Sequence, residues 1–143
     1  MKNLYIIMLF PTLMFGQIKQ VNNVSQKKQI QEAINFHNDI RIYQLNTLLE
    51  FDQSLSMSAK QWAENIIKTG NLDFDTGLPD PVGELLYRAN ATDEIPNYNP
   101  YLDATTYWAT NTGSATISFD QFQTIGMGVA YGNGKVVVVA RYE

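Results

Sequence analysis

The sequence predicts a single α+β domain, a three-layer α/β/α sandwich with helices on both sides of a central antiparallel sheet. Three observations carry this. Apolar residues recur at helical spacing in two segments of the N-terminal half. Two β-rich runs, 124–131 and 135–142, flank Gly132-Asn133-Gly134, a strong hairpin signal. Val136 to Val139 is an unbroken β-branched run, which requires apolar cover on both faces and so places the hairpin between helix layers.

The first helix is expected over 26–45, with Ile30, Ala33, Ile34, His37, Ile40, Arg41 and Gln44 near one face. Asp52 suits the N-cap of a second helix with the stripe Leu55, Ala59, Trp62, Ala63, Ile66 and Ile67, and Gly70 suits its C-terminal cap. Glu64 and Lys68 are spaced as an exposed i,i+4 pair. A loop rich in Asp, Pro and Gly follows over 72–83, then a short strand over 84–87 and a polar loop over 90–99. Asn99-Pro100 fits an N-cap with proline in the first turn. The third helix is expected over 100–110, burying Leu102, Ala109 and one side of Tyr107-Trp108.

The 143 residues are one domain's worth, enough to bury a core without a metal or disulfide. Apolar residues at 45% and charged residues at 17% are a globular balance. The net charge of −4 and the scattered basic residues exclude a nucleic-acid surface. Cysteine is absent, so disulfides, thiolate nucleophiles and thiolate metal sites are excluded. At the N-terminus, Lys2 precedes an apolar run from Leu4 to Phe15, then Gly16 and polar Gln17. This is the layout of a secretory signal peptide over 1–16, too short for the ~20 residues that span a bilayer. A polar leader over 17–26 and a domain over 27–143 would follow. The protein is thus expected to be secreted or periplasmic, with no stable membrane insertion after cleavage.

Several segments in this order resemble the CAP superfamily, the group of cysteine-rich secretory proteins, antigen 5 and pathogenesis-related 1. They are His37-Asn38-Asp39-Ile40-Arg41; Leu55-x-x-x-Ala59-x-x-Trp62-Ala63; Gly83-Glu84; Ala104-x-x-x-Trp108; Ile125-Gly126-Met127-Gly128-Val129-Ala130; and the closing run 137–142. The resemblance spans about 30–142 and implies the CAP fold. It also implies structural roles for His37, Asn38, Arg41, Trp62 and Trp108. The family's cleft usually carries two His and two Glu that can hold a divalent metal. Carried over residue by residue, the first His falls on Phe74 and the second Glu on Asn111, and no histidine lies within 114–122 where the second belongs. Glu84 alone remains as a candidate cleft residue, either functional or a buried carboxylate bonded to backbone or Asn111.

With one histidine and no cysteine, a zinc site lacks ligands, and no cofactor is expected. Asp73-x-Asp75 with Glu84 imitates a calcium loop but has Leu78 where that loop needs glycine. The glycines at 126 and 128 sit inside a strand, the mark of close packing rather than of a nucleotide loop. Tyr87, Tyr98, Tyr101, Tyr107 and Trp108 either line a groove or pack the core and loops. The reading is a non-catalytic binding domain with a degenerate cleft. Its partner is a ligand or protein of unspecified kind: lipid or sterol, glycan or peptide. The alternative is a hydrolase using Glu84 and Asp120 as acid and base.

Overall fold

The computed structural model describes residues 25–91, 97–111 and 113–143. The first helix, α1, is described over 25–43 and turns into an extended segment that ends in a two-residue strand, β1 (Glu50–Phe51). Then follow α2 (Gln53–Thr69), β2 (Gly83–Asn90), α3 (Pro100–Thr110), α4 (Ser114–Ile117), β3 (Thr124–Gly132) and β4 (Lys135–Tyr142). The signal segment and nearly all of the leader lie outside the described residues, but Ser25 and Gln26 are already helical.

The sheet has the order β1-β3-β4-β2. β3, β4 and β2 are antiparallel over their length, whereas β1 pairs parallel to the start of β3. The sheet is therefore mixed at one edge, where a wholly antiparallel one was expected. β1 is too short to leave a periodic signal, and β2 runs to Asn90, beyond the short strand predicted.

Alternation along β4 divides the core. Val136, Val138, Ala140 and Tyr142 face α1, α3 and α4 together with Ile34, Tyr101, Trp108 and Ile117. Val137 and Val139 face α2 and meet Ala59, Ala63 and Ile66. α2 lies so close on β3 that a Cβ added at Gly126 or Gly128 would stand 2.1 Å from the main-chain nitrogen of Ser56 or Lys60. No side chain fits there, which is why the strand carries glycine at alternate positions.

The local signals for the helix ends and the hairpin were sound. Asp52 accepts the Leu55 amide and Gly70 takes the left-handed cap conformation (φ 77°). Asn99 caps α3 through the Leu102 amide. Asn133 and Gly134 both have positive φ, as a two-residue hairpin turn of this twist requires. Two details differ. α3 buries Tyr101, Ala104, Thr105 and Trp108, leaving Tyr107 exposed and Leu102 only partly covered, so its inner face is rotated from the expected one. Lys60, not Lys68, approaches Glu64, at 4.0 Å on an open surface.

Candidate functional site

Glu84 opens β2 opposite Arg141 in the β2–β4 register, and both side chains project to the α2 side of the sheet. Their side chains are 4% and 5% exposed. A carboxylate buried this deeply needs partners for both oxygens. Its Oε1 accepts the Asp75 amide at 2.8 Å, and its Oε2 accepts Arg141 Nε at 3.0 Å. Arg141 Nη2 also donates to Asp75 Oδ2 at 2.8 Å. Asp75 in turn holds the loop before β2 in shape by accepting the Gly77 amide at 2.9 Å. The result is a clasp of two carboxylates around one guanidinium, joining the α2–β2 loop to the sheet. Burial raises the Glu84 pKa, and the Asp75 amide and Arg141 oppose that shift without cancelling it.

The residues around Glu84 do not fit a metal. Phe74 is exposed and donates nothing, and the Asn111 amide is turned to Tyr107 and Thr110 rather than to Glu84. A guanidinium already occupies the carboxylates. No group of three or more His, Cys, Asp or Glu among the described residues is arranged to hold an ion. The Asp73/Asp75/Glu84 imitation of a calcium loop resolves differently: Asp75 and Glu84 do meet, but around Arg141, and the Asp73 carbonyl receives Trp62 Nε1. The pairing of Glu84 with Asp120 is not found among the described contacts. Asp120 instead acts on Arg41, opposing the fall that burial imposes on the Arg41 pKa.

The α1 motif lies on the other side of the sheet. His37 is fully buried; its Nδ1 stands 2.8 Å from the Ala33 carbonyl and its Nε2 2.7 Å from the Tyr142 hydroxyl. A carbonyl only accepts, so Nδ1 carries the proton and neutral Nε2 accepts from Tyr142. Burial lowers the His37 pKa to about 4, with nearby Arg41 adding to the fall and the Ala33 bond opposing it. Asn38 exchanges two hydrogen bonds with the main chain of Leu49. Arg41 donates to the carbonyls of Thr47, Ile117, Phe119 and Phe122. Trp108 is buried, with Nε1 on the Leu86 carbonyl, and Trp62 packs on the α2 cluster.

The tyrosines divide between core and surface. Tyr101 is buried, while Tyr87 and Tyr98 both donate to Asp103 Oδ2, at 2.5 and 3.1 Å. Burial beside that carboxylate pushes the Tyr98 pKa up to about 12. Arg141 is the residue that sequence reading missed. Its signal was present: a lone charge inside the apolar run of β4 needs a buried counterion, and only register identifies Glu84 as that ion.

The three-layer sandwich, the order of its helices and the main-chain-binding motif on α1 agree with the family that the sequence resembles. The Cysteine-rich secretory protein (CAP) family model matches residues 34–142, and the chain belongs to that family. Solved structures agree in fold. Hookworm platelet inhibitor aligns with a TM-score of 0.64 at 17% identity, over 81% of this chain and 69% of that one. An outer surface protein of Borrelia burgdorferi aligns at 0.63 and 13% identity, over 81% and 92%. NaASP2, crystallised with Zn2+, aligns at 0.64 and 12% identity, over 79% and 77%. A search of curated protein sequences returned no significant match.

Proposed function

We propose that this protein is a secreted, non-catalytic binding domain, with a signal peptide over 1–16 and the CAP domain over 27–143. The observation that carries the reading is the clasp: the one carboxylate left of the family's cleft is buried and neutralised by Arg141, with Asp75 beside it. A carboxylate this deeply buried, with a donor already on each oxygen, is poorly placed to take a metal or carry a proton-transfer step. Fold alone does not fix function, but two of the structural neighbours support the setting. One is named for inhibiting platelets and the other for its place on an outer surface. The partner class on this reading is a lipid or sterol, a glycan, a peptide or a protein.

Calorimetric titration of the purified protein with zinc, calcium and magnesium tests it. The expected result is no saturable heat, and no difference between the wild type and Glu84→Ala. One equivalent of bound metal that disappears in Glu84→Ala would overturn the reading and restore metal chemistry to the cleft.

A further inference from the structure

We propose that the open edge of β3 is a docking site for a short extended peptide carrying acidic side chains. Three residues of β3 direct their main-chain groups away from β4 in succession. Ile125 C=O receives the Asp52 amide where β1 ends. Met127 N–H and C=O are both met by the Ser56 hydroxyl, at 2.9 and 3.0 Å. Alternation makes Val129 the next; its N–H and C=O make no loop or side-chain hydrogen bond among the described residues, and the residue as a whole is 9% exposed. The chain leaves the sheet at Asp52 to begin α2, whose Ser56 takes the strand position beside Met127, so strand pairing on this side of β3 stops before Val129.

That place is a groove. A cavity of about 330 Å3 lies between the start of α1 and the start of α2, bordered by Met127, Gly128 and Val129. A second, of about 320 Å3, continues it along α1 past Phe51 to Gln31. Its apolar walls are supplied by Ile30, Phe51, Met57 and Tyr101. Phe51 and Met57 are 44% and 57% exposed, large apolar groups left in water. The charge on the rim is one-sided. Among the described residues, Lys27 and Lys60 border the groove and no Asp or Glu does, although the chain carries a net charge of −4. Among the described residues, the one acidic group near either lysine is Glu64, at 4.0 Å from Lys60 and well exposed. The Val129 N–H and C=O give an extended peptide its main-chain bonds, the apolar walls take its apolar side chains, and the two lysines select carboxylates between them. A membrane surface would instead need an exposed, convex basic and apolar patch, and this one is concave.

The proposal extends the binding reading but can fail without it, since the groove is distant in the fold from Glu84 and is tested without metal. The experiment is fluorescence anisotropy of the purified protein with a labelled octapeptide of alternating valine and glutamate. Three controls accompany it: the valine–lysine counterpart, a version N-methylated at alternate amides, and sodium oleate as competitor. The expected result is saturable binding, weakened at least tenfold by Lys27→Glu with Lys60→Glu, by N-methylation, and by exchange of glutamate for lysine. Both lysines are at the surface, and an unchanged far-UV spectrum establishes that the double variant folds. Absence of saturation at millimolar protein overturns the proposal. So does equal binding of the N-methylated or lysine peptide, or displacement by oleate with no sensitivity to N-methylation, which would make the groove an apolar-ligand site.

Discussion

The two buried polar clusters on opposite sides of the sheet are built differently. On the α1 side, Arg41 and Asn38 spend their hydrogen bonds on main-chain carbonyls and amides of the 47–49 and 117–122 segments. On the α2 side, Glu84, Asp75 and Arg141 bind mainly one another. A side chain bonded to main chain shapes loops, and no single substitution elsewhere relieves its loss. A side-chain clasp is replaceable, because each member's need is created by the others. The α1 motif and the Glu84–Asp75–Arg141 clasp therefore carry different tolerance to change, and mutation separates them.

The largest effect is expected at Arg41. Arg41→Ala would strand four carbonyl groups, three of them in the segment that leads into β3. Hydrogen bonds from a charged donor and the desolvation left behind put the loss at about 4 kcal/mol, a large share of the ~5–15 kcal/mol that holds a domain together. Lysine cannot span these acceptors, because it offers a point charge where the planar guanidinium offers a fork. Urea unfolding should give Arg41→Lys a loss nearly as large. If Arg41→Lys unfolds at the wild-type midpoint, the main-chain cluster is no less replaceable than the clasp.

His37 gives the next effect, and pH reads it. Its pKa falls from an ordinary 6.5 to about 4 on folding. The unfolded chain therefore binds the proton first, and the stability His37 contributes is present above pH 6.5 and lost as pH falls toward 4. The full loss is about 3 kcal/mol. Protonation also makes Nε2 a donor, which it cannot be toward Tyr142 unless the hydroxyl turns. Unfolding midpoints between pH 7.5 and 4 should fall more steeply in the wild type than in His37→Gln. Equal slopes would mean that the ring is not held neutral by its surroundings.

What the sequence revealed depended on how local each signal was. The caps at Asp52, Gly70 and Asn99 and the Asn133-Gly134 turn depend on residues within a few positions, and they were legible. The inner face of α3 depends on which neighbours cover it. Tyr101 packs under the sheet while Leu102 faces partly outward, and the weak amphipathicity of 100–110 could not decide that. β1 is recruited by Thr124 and Ile125 and has no pattern of its own. In the clasp, Glu84 was found through its glycine neighbour, but Arg141 lies 57 residues on and meets it only through register. Asp120 was chosen for its nearness in sequence to a missing histidine, whereas its charge is felt at Arg41 and the partner of Glu84 is Arg141.

The smallest effect is the most discriminating, because it asks whether the clasp is attractive on balance. Geometry shows a tight ion pair, yet burial raises the Glu84 pKa despite Arg141 and the Asp75 amide. A raised carboxylate pKa means that the folded state holds its proton longer than the unfolded chain. The stability tied to Glu84 is thus present below its ordinary pKa and declines as pH rises through the folded value. Glu84→Ala removes two acceptors and leaves Arg141 with Asp75 alone, at a cost of about 2 kcal/mol. Glu84→Gln keeps the shape and one oxygen acceptor, and should change stability by less than about 1 kcal/mol. The sign of its drift decides the matter. Measured against the wild type from pH 4.5 to 7, the Gln variant should gain ground as pH rises, because it never ionises. Lost ground would show that Arg141 outweighs burial, making the clasp a source of stability rather than a neutralised remnant, and would set it level with the α1 cluster.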